Sequence, residues 1–172
     1  MTTKTTWREK RLCCDGFFKH NAVYRPECVG LLDVLPSIFG DIVVAPSVVD
    51  ECGEGGRILV PDLRTLSWIK VEEVQSDLRL PALFELDRGE RDTLLLAALN
   101  PKALVIMDEK LGRNMAEYLG LQVTGTLGVL AKARTLGLIP SFLQAAHDMR
   151  EQGIYFHEGL VNRIAARIGE TH

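Results

Sequence analysis

The sequence predicts an α/β protein, a three-layer α/β/α sandwich around a central, mainly parallel sheet. Three observations carry that expectation. "IVVAP" (Ile42 to Pro46) is a β-branched run stopped by proline, and the "SVVDEC" that follows suits a helix capped by Ser47. "ALVIM" (Ala103 to Met107) is apolar without alternation, as a strand covered on both faces of a parallel sheet is, and a helical pattern follows it. "LQVTGTLGVLAKARTLGLIP" repeats the step: a short strand ending near Thr124, a glycine-containing turn, and a helix from about Leu127 to Leu136.

The remaining elements fit around these steps. Arg11 to Cys14 reads as a short strand ending at Asp15-Gly16, and a helical segment falls between His20 and Leu35, with Pro26 limiting its start. "GEGGR" (Gly53 to Arg57) is loop material, and "LSWIKVEEV" (Leu66 to Val74) reads as a strand with Trp68, Lys70 and Glu72 on one face. "DRGERDTLLLAALN" opens with acids, becomes apolar on every side from Leu94 to Leu99 and stops at Asn100-Pro101, as a buried helix does. After "ALVIM", Leu111, Met115 and Leu119 mark one face of the next helix. Two closing helices occupy residues 141–169, joined by an extended link from Ile154 to Phe156.

With 172 residues and 47% apolar content, the chain has enough material for one core, and a single domain over 1–172 is expected, with helices 141–169 packed on it. The net charge of −3 excludes a surface that is basic throughout, so any nucleic-acid contact needs a local patch. Cys13, Cys14, Cys28 and Cys52 form no CxxC pair, which suits a reduced, cytoplasmic chain. His20, His147, His157 and His172 are scattered without zinc-ligand spacing. The polar N-terminus is not followed by a signal-like apolar core. Asp33, Pro36, Asp41 and Pro46 interrupt the most apolar stretch, so neither secretion nor a membrane span is expected.

In a parallel α/β sheet the strand tips face a common crevice, where acids far apart in sequence converge. Asp15 follows the first candidate strand, Glu51 sits one turn beyond Ser47, Asp92 lies in the first turn of the buried helix, and Asp108 closes "ALVIM". Clustered carboxylates repel, and a cation at the crevice relieves them. Oxygen donors select Mg²⁺ or Mn²⁺ over zinc, and such ions activate water against a phosphodiester and stabilise the leaving oxygen. Glu90 and Asp92 are about 200° apart on a helix, so one of the pair enters the crevice; Asp92 is chosen because the apolar run starts directly after it. Each acid also suits a plainer role: Asp92, Glu90 and Asp108 as helix-start or capping groups, Glu51 as a solvated helix residue, Asp15-Gly16 as a turn.

From "LLDVLPSIFGDIVVAPSVVDEC" through "LDRGERDTLLLAALNPKALVIMDEKLGRNMAEYLGLQVTGTLGVLAKARTLGLIPS" the chain resembles the PIN-domain family, in particular its VapC-type, uncharacterised PIN-like branch. The resemblance covers roughly Leu31 to Ser141. It implies a parallel sheet between helices, three or four acids binding Mg²⁺ or Mn²⁺, and ribonuclease activity. Matched position by position, it assigns the metal-binding acids to Glu51, Asp92 and Asp108, with Glu109 adjoining and Glu90 a further candidate. The family's first acid opens a pattern like "DxSPLI"; here Asp15 stands in "LCCDGFFKH", without the serine and proline. That departure keeps a second reading open, a weak or inactive PIN-like module that binds RNA or protein.

Arg88, Arg91, Lys110 and Arg113 flank the crevice-side helix starts and are candidate phosphate contacts, or else a salt-bridged surface. Thr124 and Thr126 are candidates for the hydroxyl residue that the family often places near its site, and Thr126 also suits a helix N-cap. The VapC-type resemblance further implies the toxin of a toxin–antitoxin pair, blocked by a small antitoxin protein, and a homodimer. Leu160, Ile164 and Ile168 form an apolar row suited to the core, a dimer surface or an antitoxin seat. A phosphatase or response-regulator-like domain also clusters acids at strand tips, but "VTGTLG" lacks the lysine partner it needs.

Overall fold

Five strands of three residues each form one sheet in the order β3-β2-β1-β4-β5, and every neighbouring pair is parallel. The strands are β1 (Leu12–Cys14), β2 (Ile42–Val44), β3 (Ile69–Val71), β4 (Leu104–Ile106) and β5 (Gln122–Thr124). The computed structural model describes residues 12–14, 30–54, 61–74, 81–100, 102–151 and 153–170. Parallel neighbours cannot be joined by a hairpin, so the chain must cross over between them, and here it does so through helices. These are α1 (Gly30–Phe39), α2 (Pro46–Gly53), α3 (Arg88–Ala98), α4 (Lys110–Tyr118) and α5 (Thr126–Thr135), followed by α6 (Phe142–Glu151) and α7 (Glu158–Arg167). The result is the expected α/β/α sandwich with a parallel sheet.

Strand order fixes where a site can lie. From β1 the chain builds outward through β2 to β3, then returns through α3 to place β4 on the other side of β1. The order in which strands are added therefore reverses between β1 and β4, and the crevice at such a reversal opens at the strand carboxyl ends. Helix α3 packs against β1, β4, α2 and α4, which puts its N-terminus beside that opening. All residues of β2 and β4 are buried, as their uninterrupted apolar sequences require, whereas edge strand β3 exposes Lys70 and Val71.

Several local expectations are corrected. Helix α2 begins at Pro46 with Ala45 as its N-cap, and Ser47 is a buried residue inside the helix. Proline suits the first helical position because its missing N–H would have had no partner there. The strand expected over Leu66 to Val74 shrinks to three residues, preceded by a 3-10 turn at Leu63–Thr65. Helix α1 runs to Phe39 and accommodates Pro36, ending later than expected. On α4 the buried positions are Gly112 and Ala116, while Leu111 is exposed. The seam is narrow: a Cβ on Gly112 would collide with Met107 Sδ and lie 3.2 Å from Glu90 Oε1. Met115 and Leu119 pack partly buried against the core, as the expected row requires, and the small residues beside them let α4 approach.

The last two helices are held by a single carboxylate. Glu170 Oε1 accepts from Ser141 Oγ at 2.6 Å and Leu143 N at 2.9 Å, and Oε2 accepts from Phe142 N at 3.0 Å and Arg134 Nε at 2.9 Å. It thereby caps α6 and ties α5 to both closing helices. Gly169, at φ 75°, makes the geometry available: Gly169 N bonds Ala166 O at 3.2 Å and Glu170 N bonds Ala165 O at 2.9 Å. That is the Schellman ending, whose left-handed residue favours glycine. Burial alone would raise the Glu170 pKa, but the bonds from Ser141, Leu143, Phe142 and Arg134 outweigh it and lower the value to about 2. Ile164 and Ile168 pack partly buried against the core, and Leu160 is exposed. Among the described residues no helix is long and apolar enough to cross a membrane.

Candidate active site

Asp108 stands two residues beyond β4. Met107 N donates to Thr124 O at 2.9 Å, which carries the β4–β5 pairing past the end of the strand and sets Asp108 over the start of α5. There its carboxylate bridges one residue: Oδ1 accepts from Thr126 N at 2.8 Å and Oδ2 from Thr126 Oγ1 at 2.5 Å. Helix α5 has glycine at its N-cap and no side-chain cap of its own, so Asp108 supplies the missing acceptor from 18 residues away. Gly125 makes room for it, since a Cβ there would stand 2.6 Å from Asp108 Oδ1 and 3.1 Å from Arg113 Nη1. Arg113 Nη1 in turn donates to Met107 O at 3.0 Å, bracing the same turn.

On the other side of the reversal, Glu51 leans from α2 onto α3, where Oε1 accepts from Gly89 N at 2.9 Å. Asp87, the local N-cap, accepts from Glu90 N at 2.9 Å, so two carboxylates satisfy the first donors of α3. The two acids that follow on α3 diverge as their spacing requires. Glu90 is buried, at 5% exposure, and turned toward Gly112 of α4. Asp92 keeps 16% of its side chain exposed and lies among arginines, 3.4 Å from Arg91 Nε and 3.9 Å from Arg88 Nε. Of the pair, Glu90 is the buried carboxylate and Asp92 the partly exposed, arginine-flanked one.

The other predicted residues distribute as follows. Asp15 lies outside the described residues. Glu109 is exposed at the N-cap of α4 and makes no side-chain capping bond. Lys110 and Arg88 are exposed, and Arg91 and Arg113 are half-buried. Thr126, a candidate for the hydroxyl residue near the site and for RNA contact, is fully buried, and its hydroxyl holds Asp108. Among the described residues no three His, Cys, Asp or Glu side chains converge closely enough to hold a metal ion. The donors at the crevice are all carboxylate oxygens, and Mg²⁺ binds through as few as one or two carboxylates, completed by water and substrate phosphate. The residues described there therefore offer the donor type that a hard cation takes.

Sequence reasoning missed what adjoins Asp108. A groove of about 600 Å³ runs from Asp108 and Arg113 past Gly125 and Gly128 to the link between α6 and α7, where Tyr155 and His157 stand. The link's aromatic and imidazole side chains are clustered in sequence at "IYFHEG", but only the turn of α6 back onto α5 brings them to the strand tips.

A doubly wound parallel domain with oxygen-only acids at the reversal point belongs to the class of α/β proteins that work on ligands at their strand tips. Within that class the assignment is specific: a family model, DUF3368, described as a PIN domain, matches residues 27–170, and the chain belongs to the PIN-domain family. No curated protein and no solved structure matches the chain significantly. Membership places it among domains that are typically nucleases using a divalent metal.

Proposed function

We propose that this chain is a Mg²⁺- or Mn²⁺-dependent endoribonuclease with one PIN-like domain spanning 1–172, working in the cytoplasm. The observation that carries the proposal is Asp108, a carboxylate fixed at the crevice by Thr126 in a chain of this family. Asp108, Asp92 and Glu51, with Asp15 ahead of them, are the residues that would hold the cation, with Glu90 and Glu109 as further candidate ligands. When bound, a divalent ion neutralises the acids, lowers the pKa of water and offsets charge on a leaving oxygen. The chain's own contribution is orientation. Thr126 holds Asp108 by two bonds, Gly89 N holds Glu51, and Arg88 and Arg91 present positive charge beside Asp92 for phosphate. Lys110 and Arg113, at and within α4, extend that charge toward Asp108.

The VapC-like motif order supports a finer reading, the toxin of a toxin–antitoxin pair that acts as a homodimer and is silenced by a small antitoxin protein. A second reading, a PIN-like module that binds RNA or protein without cutting, draws on Asp15-Gly16, which lacks the serine and proline of the family pattern. RNA cleavage assays with Mg²⁺ or Mn²⁺ separate the two. The nuclease reading expects cleavage by the wild type and none by Asp108→Asn; equal activity in both overturns the assignment. Saturable Mn²⁺ binding that is lost in Asp92→Asn supports the cation site, and binding that survives the substitution counts against Asp92.

A further inference from the structure

The groove beside Asp108 extends well beyond the residues that position it. Its near end is Asp108 and Arg113, its floor is made bare by Gly125 and Gly128, and its far wall is the link that carries Tyr155 and His157. The wall is anchored, because Ile154 is buried and its N–H bonds Met149 O at 3.1 Å. Tyr155, next to that anchor, is 74% exposed, with the Arg150 guanidinium carbon 5.9 Å from its ring centroid. An aromatic ring left in water on a fixed backbone and paired with a cation is a stacking platform. Much of the lining is apolar, including Leu127, Phe156 and Leu160; among the described residues Asp108 is the only acid lining the groove, with Arg113 and the His157 imidazole as its donors, while Arg150 approaches Tyr155 from outside the lining.

We infer that this groove is the path of a single-stranded RNA leaving the acidic crevice, with a base stacked on Tyr155 and the backbone met by Arg113 and His157. The inference rests on the nuclease reading and adds to it a stacking position, Tyr155, on which an unstacked base of a single strand is free to lie. It also says how discrimination works there. Stacking accepts every base, so this part of the groove contributes affinity and orientation and little sequence preference.

The test uses the full chain and a fluorescently labelled random-sequence RNA of about twelve nucleotides. Binding is read by anisotropy in chelator, where no metal-dependent cleavage occurs, for the wild type, Tyr155→Ala, Tyr155→Phe and Tyr118→Ala. Tyr118, 82% exposed on α4 and away from the groove lining, controls for exposed aromatics in general. The expected result is weakening on the order of tenfold in Tyr155→Ala, with Tyr155→Phe and Tyr118→Ala close to wild type and all four sharing one thermal midpoint. Unchanged binding in Tyr155→Ala overturns the inference, and is the result expected if the groove instead seats a protein segment. Equal competition by duplex RNA also overturns it. Failure of the nuclease reading looks different: no cleavage by the wild type in Mn²⁺, with Tyr155-dependent RNA binding intact.

Discussion

Asp108 and Glu170 do the same local job in two regions of the molecule, and they differ in how completely they do it. Each comes from a distant element to accept from the first N–H groups of a helix, although α6 also has Ser141 Oγ accepting from Gln144 N at 3.0 Å and α5 has no local side-chain cap. Glu170, at the outer edge, takes two donors on each oxygen, and these use all four in-plane lone-pair positions. Asp108, at the strand tips, takes one donor on each oxygen, both from Thr126, and keeps a second position on each. The saturated carboxylate is a staple. The half-saturated one is held rigidly and still has acceptor capacity to offer a cation, which is what a site on a stable scaffold requires.

Four substitutions press on that comparison. The largest effect is on catalysis: Asp108→Asn keeps a capping oxygen but loses the charge, and RNA cleavage in Mn²⁺ should fall by a factor on the order of 10² or more, with little change in thermal midpoint. Next comes Glu170→Ala, which strips four donors of their acceptor; chemical denaturation should show a loss of about 2 kcal/mol, with cleavage by the folded fraction unchanged. Its pH dependence has a definite sign. The folded-state pKa is lowered, so the contribution is complete above the ordinary value of 4.5 and drains away as pH falls toward about 2. Melting curves of the wild type and Glu170→Gln should therefore converge as pH drops through that window, and a constant gap would count against the staple.

Gly125→Ala sharpens the same contrast at the crevice. The new methyl would sit 2.6 Å from Asp108 Oδ1, so the carboxylate must shift; cleavage should fall about tenfold or more while stability drops by about 1 kcal/mol. The smallest effect belongs to Thr126→Val, which removes one of two bonds to Asp108. A stability loss of about 1 kcal/mol is expected, with cleavage slowed several-fold and largely restored by Thr126→Ser; full activity in Thr126→Val would show that Asp108 needs no such support.

Legibility in the sequence followed periodicity. β2 and β4 were readable because a strand buried on both faces must be apolar throughout, and the position of Asp108 came with them. Helix faces were harder. On α4 two residues of the expected row, Met115 and Leu119, do pack against the core, but the closest seam is at Gly112 and Ala116, because contact with α3 is closer than a leucine allows. Ser47 was a reasonable cap by composition until Pro46 claimed the first turn. Glu51 on Gly89, Asp108 on Thr126 and Glu170 on α6 left no trace at all. A remote cap joins two elements through one side chain and imposes no repeat on either. Gly125 was the one available signal, a bare position between two threonines at a strand tip.

Glu170 also sets an order of events. The first turn of α6 emerges during synthesis some 27 to 29 residues before the carboxylate that caps it, and elongation at roughly 5–20 residues per second separates the two by a second or more. Until the turn after α7 has formed, Phe142 N and Leu143 N have only water, and the link bearing Tyr155 is bracketed at neither end. The parallel sheet and the Asp108–Thr126 clasp use chain that is made earlier, so the acidic crevice can be assembled while the wall beside it is still open.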